Sequence, residues 1–289
     1  MHKSVKYLLP AEDIDMGGII VKQALPTQKI DQLDPFLLLH HATFTYTKDA
    51  PARQQGIGPH PHRGFSPVTF VIRGEVHHRD SRGNNQIAKE GEVQWMFAGA
   101  GIIHSERPSA DLANKNGTQE IIQLWINAPA DAKMEQPKYQ YKSGTDIPVF
   151  PSSDGQFSNK LVAGNYGDFK GNIQTESELL IIWSQSKSAG KQSFEIPQGF
   201  NAMLYLIKGS LQVKGYGKVG QENLIIFDNS VDGDIEISTE NAVEFVLLCG
   251  KPIDEVVVKQ GPFVMNTTTE IMVAMRDYQM GKMGILIEE

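Results

Sequence analysis

Up to about Lys29, apolar and polar residues alternate, with Gly17-Gly18 as punctuation. A period of two predicts one or two strands with one buried face. An apolar segment from Leu33 to Leu39 leads into Phe44 and Tyr46. The stretch from Asp49 to Gly58 is rich in Pro, Gly and Ala, and reads as a loop with Arg53 solvated. Val68 to Val76 is rich in β-branched and aromatic residues, and Ile121 to Ile126 is similarly apolar; each predicts a core strand. A hairpin turn is expected at Ser81-Arg82-Gly83-Asn84. The polar interval from Ser109 to Gly117 reads as a loop, and 129–159 reads as a linker rich in Pro, Ser, Gly and charge.

Past the linker the pattern returns. Gly64-Phe65 and Gly199-Phe200 are each followed, ten residues after the glycine, by Gly74 and Gly209, and Phe70-Val71-Ile72-Arg73-Gly74 parallels Tyr205-Leu206-Ile207-Lys208-Gly209. A constant offset of 135 residues points to an internally duplicated β unit. The chain then closes on a helix. Thr267 and Glu270 have capping-box spacing, and Ile271, Ala274, Met275 and Tyr278 mark the apolar face expected to pack.

Composition narrows the functional class. A length of 289 residues suits two domains. The net charge of −7, with no long Lys/Arg run, argues against direct nucleic-acid binding. Apolar runs such as Leu179 to Trp183 and Phe245 to Cys249 are too short to span a bilayer, so no membrane partner is expected. No apolar region precedes Pro10 to suggest a signal peptide, and the one cysteine, Cys249, reads as a buried thiol in a reducing compartment. The expected location is cytoplasmic.

The chemistry concentrates in 58–108. His60-Pro61-His62 opens this stretch and His104-Ser105-Glu106 closes it. Side chains at i and i+2 of a strand share a face, so each dyad can aim both groups one way. Two facing dyads offer three imidazoles and a carboxylate to one ion, a set suited to Fe, Ni, Cu, Mn or Zn. None of the eight histidines follows His104. His77 and His78 are adjacent beside the hairpin turn and are assigned to the surface or edge. His40-His41, among leucines, are assigned a structural role, and His2 is terminal.

These residues carry a resemblance. His60-Pro61-His62-Arg63-Gly64-Phe65, Gln94-Trp95-Met96, Ala98-Gly99, His104-Ser105-Glu106 and Gly261-Pro262-Phe263-Val264-Met265-Asn266 together resemble the pirin family of the cupin superfamily, over nearly the whole chain. The resemblance implies an all-β fold: two tandem, jelly-roll-like cupin β-barrels with a few short helices, one near the C-terminus. Residues 1–135 would form the metal-binding barrel and 136–289 a barrel without a metal site. In the second copy, Glu195 and Pro197 stand where His60 and His62 stand in the first. Carried over by position, the ligands of an Fe(II) ion would be His60, His62, His104 and Glu106. Many cupins place a glutamate four or five residues after the second histidine. Here those positions are Ser66 and Pro67, leaving Glu106 as the one carboxylate.

Some pirins are quercetin 2,3-dioxygenases, which implies a flavonol and O2 as substrates. Glu106 would then act both as ligand and as catalytic proton acceptor, and Phe65, Phe70, Trp95 and Met96 would wall an aromatic pocket. Eukaryotic pirins are also described as iron-dependent transcription cofactors. The alternative is therefore a redox-sensing regulatory protein acting through protein partners, with the metal charge as its switch.

Overall fold

The runs with a period of two become strands, and the punctuation falls between them. The computed structural model describes residues 2–288 and divides into two compact units. These units are interleaved in the chain, not split at residues 135 and 136. One contains 2–14, Lys22–Pro35 and Thr145–Pro252; the other contains Asp15–Val21, Phe36–Gly144 and 253–288. The N-terminal strand Val5–Pro10 pairs antiparallel with Asn223–Phe227 of the later half. The C-terminal helix Thr268–Gln279 belongs to the unit that carries His60, His62 and His104. A linear boundary fails because long-range pairing claims both chain ends.

The histidine-bearing unit is built from two antiparallel sheets. In one, Lys138–Lys142, Val93–Phe97, Phe65–Arg73, Thr118–Asn127 and Phe36–Thr45 follow in hydrogen-bonded order. In the other the order is Ile57–His62, Ile102–Arg107, Glu75–Asp80 and Asn85–Lys89. Thr69 of the first sheet donates to Glu106 of the second at 2.9 Å, which marks where the two sheets close on each other. Ile57–His62 lies at an edge of its sheet. That position tolerates Pro59 and Pro61, which have no N–H to give a second neighbour.

The other unit repeats the plan. Asn201–Lys208 pairs with Val243–Gly250, as Phe65–Arg73 pairs with Thr118–Asn127. Gly74 and Gly209 both have positive φ, and a Cβ at either would collide with a carbonyl oxygen, that of Thr118 or that of Ala242. The repeated glycine thus marks the same close approach twice. Alternate residues of three strands (Leu180 and Ile182; Leu204 and Leu206; Phe245, Leu247 and Cys249) meet Phe194, Leu211, Val213 and Ile235 in an apolar core. Burial pushes up the pKa of the Cys249 thiol, so it is inert packing.

Three expectations are corrected. The interval 109–117 contains a short helix, Ala110–Asn114, because the Ser109 hydroxyl caps it by accepting from the Leu112 N–H at 3.0 Å. The interval 129–159 contains strands Lys138–Lys142 and Val149–Pro151 and the start of Phe157–Ala163. Lys138–Lys142 is a sheet edge anchored by Tyr139, which donates to Gln94 (2.6 Å), and Tyr141, which donates to Glu92 (2.7 Å). In Thr268–Gln279 the capping box is present, but the buried residues are Ile271, Ala274 and Asp277. Met275 and Tyr278 are exposed, because Asp277 turns inward to the buried Arg63. Among the described residues, no helix is long and apolar enough to cross a membrane.

Candidate metal centre

Antiparallel register brings the two dyads together. His104 lies opposite His60 and Ile102 opposite His62, with a register shift between His104 and Glu106. The imidazole centroids are 4.3 Å apart for His60–His104, 4.8 Å for His60–His62 and 5.0 Å for His62–His104. One ring nitrogen from each lies within 4.8 Å of the others, close enough to share an ion.

Hydrogen bonds select which nitrogen each ring offers. Nδ1–H of His60 donates to the Gly58 carbonyl at 2.8 Å, and Nδ1–H of His62 to the Pro262 carbonyl at 3.4 Å. Both acceptors are carbonyls, so Nδ1 carries the proton and Nε2 keeps its lone pair. His104 instead meets another histidine through its Nδ1. Asp80 Oδ2 lies 3.0 Å from His78 Nε2, and His78 Nδ1 faces His104 Nδ1 at 3.5 Å. His104 Nε2 is buried without a hydrogen-bond partner among the described residues. An orphaned lone pair beside two others is a site that fits a transition metal. Burial, then the neighbouring imidazoles, holds His62 and His104 well below the ordinary histidine pKa, so protons compete weakly for their lone pairs.

Glu106 lies beside this triad, not within the tight nitrogen cluster. It is 7% exposed, and its Oε1 accepts from Thr69 Oγ1. The same Thr69 oxygen is 2.8 Å from the Gln123 amide. Thr69 has one proton to share between Gln123 Oε1 and the Glu106 carboxylate, and a carboxylate is the stronger acceptor.

His78 was assigned to the surface or edge, and the structure corrects this. It is 2% exposed, stacked on Tyr139 at 4.3 Å and hydrogen-bonded to Asp80. Val76, His78 and Asp80 are the buried positions of strand Glu75–Asp80. Apolar Val76 therefore carried the parity signal that could have identified His78. Burial alone would raise the Asp80 carboxyl pKa, but hydrogen bonds from His78, Asn84 and the Arg82 N–H outweigh it and hold the group below its ordinary value.

A cavity of about 270 Å³ opens beside His60, His62 and Glu106. Leu38, His40, Ala42 and Phe44, alternate residues of Phe36–Thr45, form one wall. Ile121, Gln123 and Trp125 of the paired strand continue it, with Gln123 opposite His40. His40 is thus a cavity residue, and burial pushes its pKa down to about 4. His41, the next residue, pairs with Glu120 at 3.0 Å and serves the structure.

None of the four expected pocket residues lines this cavity. Phe65, Phe70, Trp95 and Met96 are core, none more than 3% exposed. Trp125 takes the aromatic role instead, its ring 5.3 Å from that of His62. Hydrophobicity selects a residue for burial without saying whether its neighbour is another side chain or a void.

The segment 253–288 buttresses the centre. Besides Pro262, it supplies Asp277, which accepts from both terminal nitrogens of Arg63 at 3.1 Å, and Glu288, which pairs with Arg107 at 2.8 Å. Gly64 makes the approach possible, since a Cβ there would run into the Val264 carbonyl.

Known proteins resemble this chain over most of its length. The Pirin family profile matches residues 18–126 and that of the Pirin C-terminal cupin domain matches 184–284. A Pseudomonas aeruginosa protein named "Putative quercetin 2,3-dioxygenase" is 38% identical over 253 residues, 86% of each chain. Pirin-1 of Arabidopsis thaliana is 34% identical, over 97% of this chain and 94% of its own. The crystal structure of a quercetin 2,3-dioxygenase from Acinetobacter baumannii superposes with a TM-score of 0.89 at 33% identity, covering 99% of this chain and 100% of the other. With its paired cupin units and a histidine triad able to hold a metal in one of them, the chain belongs to the pirin family.

Proposed function

We propose that this protein is a metal-dependent dioxygenase that opens flavonols of the quercetin type, with one divalent metal held by His60, His62, His104 and Glu106. The observation that carries the reading is the orphaned Nε2 of His104, aligned with two further imidazoles beside a mostly apolar cavity. Three neutral nitrogens and one carboxylate suit Fe(II), the metal we assign, and would also accept Ni, Cu, Mn or Zn. Bound Fe(II) supplies the one-electron chemistry that O2 needs to react with a closed-shell aromatic.

The chain's own residues do the rest. Trp125, Phe44 and Leu38 offer a dry surface for a flat aromatic ring, while His40 and Gln123 place polar atoms on the same wall. Glu106 accepts the proton of the flavonol 3-hydroxyl. The Thr69 hydroxyl occupies one lone pair of Oε1 and leaves the others for the two roles of ligand and base. Names of relatives support this substrate class, since the Pseudomonas aeruginosa and Acinetobacter baumannii proteins described above both carry the quercetin 2,3-dioxygenase name. The one cysteine, a buried thiol, fits a cytoplasmic setting.

The test is O2 uptake with quercetin by anaerobically Fe(II)-loaded protein, with His62→Ala as control. Many turnovers per metal that vanish in the variant are expected. A tightly held metal with no turnover would overturn the enzyme reading and leave a metal-switched binding protein.

A further inference from the structure

The buried pair His78–Asp80 lies outside the ligand set yet touches it. We propose that these two are positioning residues: they hold His104 as its Nδ1–H tautomer and so aim the Nε2 lone pair at the metal. The inference rests on the metal centre proposed above and concerns how that centre is kept ready.

Each link is fixed by its neighbour. Asp80 Oδ1 accepts from the Arg82 and Asn84 backbone N–H groups at 2.9 and 3.1 Å. Its Oδ2 accepts from Asn84 Nδ2 at 2.8 Å and from His78 Nε2–H at 3.0 Å. The turn at Ser81–Asn84 therefore anchors the carboxylate, and the carboxylate sets the tautomer of His78. Tyr139 lies 4.3 Å from the His78 ring with an interplanar angle of 13°, which fixes the ring plane. With the proton of a neutral His78 ring on Nε2, its Nδ1 is an acceptor, and the neutral His104 ring presents its own proton to it. An imidazole ligand whose far nitrogen donates is held in orientation and made more basic.

Asp80→Asn tests the relay with little change of shape. The new carbonyl can keep the Arg82 and Asn84 N–H bonds, but the new NH2 faces His78 Nε2. His78 must then protonate Nδ1, which sets two N–H groups against each other or forces His104 to protonate the nitrogen the metal needs. The readouts are Zn(II) affinity of the full chain, by competition with a chromophoric chelator, and the visible spectrum of the Co(II) form. We expect Zn(II) binding weaker by roughly 10- to 100-fold, with shifted Co(II) bands. A second measurement needs no variant: long-range ¹H–¹⁵N spectra of the metal-free wild type should show His104 protonated on Nδ1 and His78 on Nε2.

Unchanged affinity and Co(II) bands in Asp80→Asn, or the opposite tautomers in the wild type, would overturn the relay while leaving the metal centre standing. Wild-type protein that binds neither Zn(II) nor Co(II) would sink the centre itself, and the relay with it.

Discussion

His60 and His104 face each other across antiparallel strands with their ring centroids 4.3 Å apart. Two imidazoles gain little from such proximity by themselves, and His104 Nε2 has no hydrogen-bond partner among the described residues. An ion that binds the folded chain should therefore stabilise it by mass action. Free Zn(II) at 100 times its Kd would add about 2.7 kcal/mol. Differential scanning calorimetry should show a higher Tm with Zn(II) and a return to the metal-free value with chelator. His62→Ala should show a much smaller shift, and an equal shift in that variant would place the ion elsewhere.

Glu106 and Thr69 separate binding from chemistry. Glu106→Gln keeps the shape and removes the proton acceptor. Flavonol turnover should fall by roughly 10²- to 10⁴-fold while the protein still retains metal. Thr69→Val removes one hydrogen bond to a carboxylate, worth about 1.5–3 kcal/mol, so a milder loss is expected. Steady-state rates and metal content measured on the same samples decide this. Full activity in Glu106→Gln would rule out the catalytic role.

Lys133 gives a pH prediction. Its ammonium is buried, donating to the Gly64 and Val264 carbonyls and to Asn127 Oδ1, and burial lowers its pKa from 10.5 to about 8. Between those values the unfolded chain holds the proton and the folded chain releases it, so this residue's contribution to stability rises with pH. Below pH 8 the burial penalty is fully present. Urea unfolding at pH 7.5 and pH 10 should show the wild type gaining about 1–3 kcal/mol relative to Lys133→Met, at roughly 1.4 kcal/mol per pKa unit. A constant difference between the two proteins would refute the shift.

The Arg63–Asp277 pair tests the buttress. The side chains are only 4% and 10% exposed. Asp277→Ala strands a buried guanidinium, to which the described residues otherwise offer the Ala100 carbonyl, at 2.7 Å. A stability loss of about 3–5 kcal/mol is expected, read from chemical denaturation. A loss below 1 kcal/mol would show that the C-terminal segment is not held through this contact.

The clarity of the sequence signal depended on how local the physics was. His60, His62, His104 and Glu106 could be singled out because strand geometry places i and i+2 on one face, whatever the rest of the chain does. The capping box at Thr267 and Glu270 was equally visible, since it needs only one turn of helix. His77-His78 was ambiguous for the same reason: adjacent residues point opposite ways, and only the parity set by Val76 separates them. On the final helix, hydropathy favoured Met275 and Tyr278 for the packed face, whereas Arg63, more than 200 residues away, draws Asp277 inward instead.

Dihedral preference, side-chain alternation and capping are short-range, so the β character, the duplicated unit and the two metal-facing dyads are written in consecutive residues. The remaining features depend on which distant segments meet. The interleaving of the two units comes from pairings such as Val5–Pro10 with Asn223–Phe227. The ring of His104 meets that of His78, 26 residues away, and the ring of His62 meets the Pro262 carbonyl, 200 residues away. The cavity wall needs His40 and Gln123 side by side. A void and a lone pair without a partner are properties of packed neighbours, and only the folded chain brings those neighbours together.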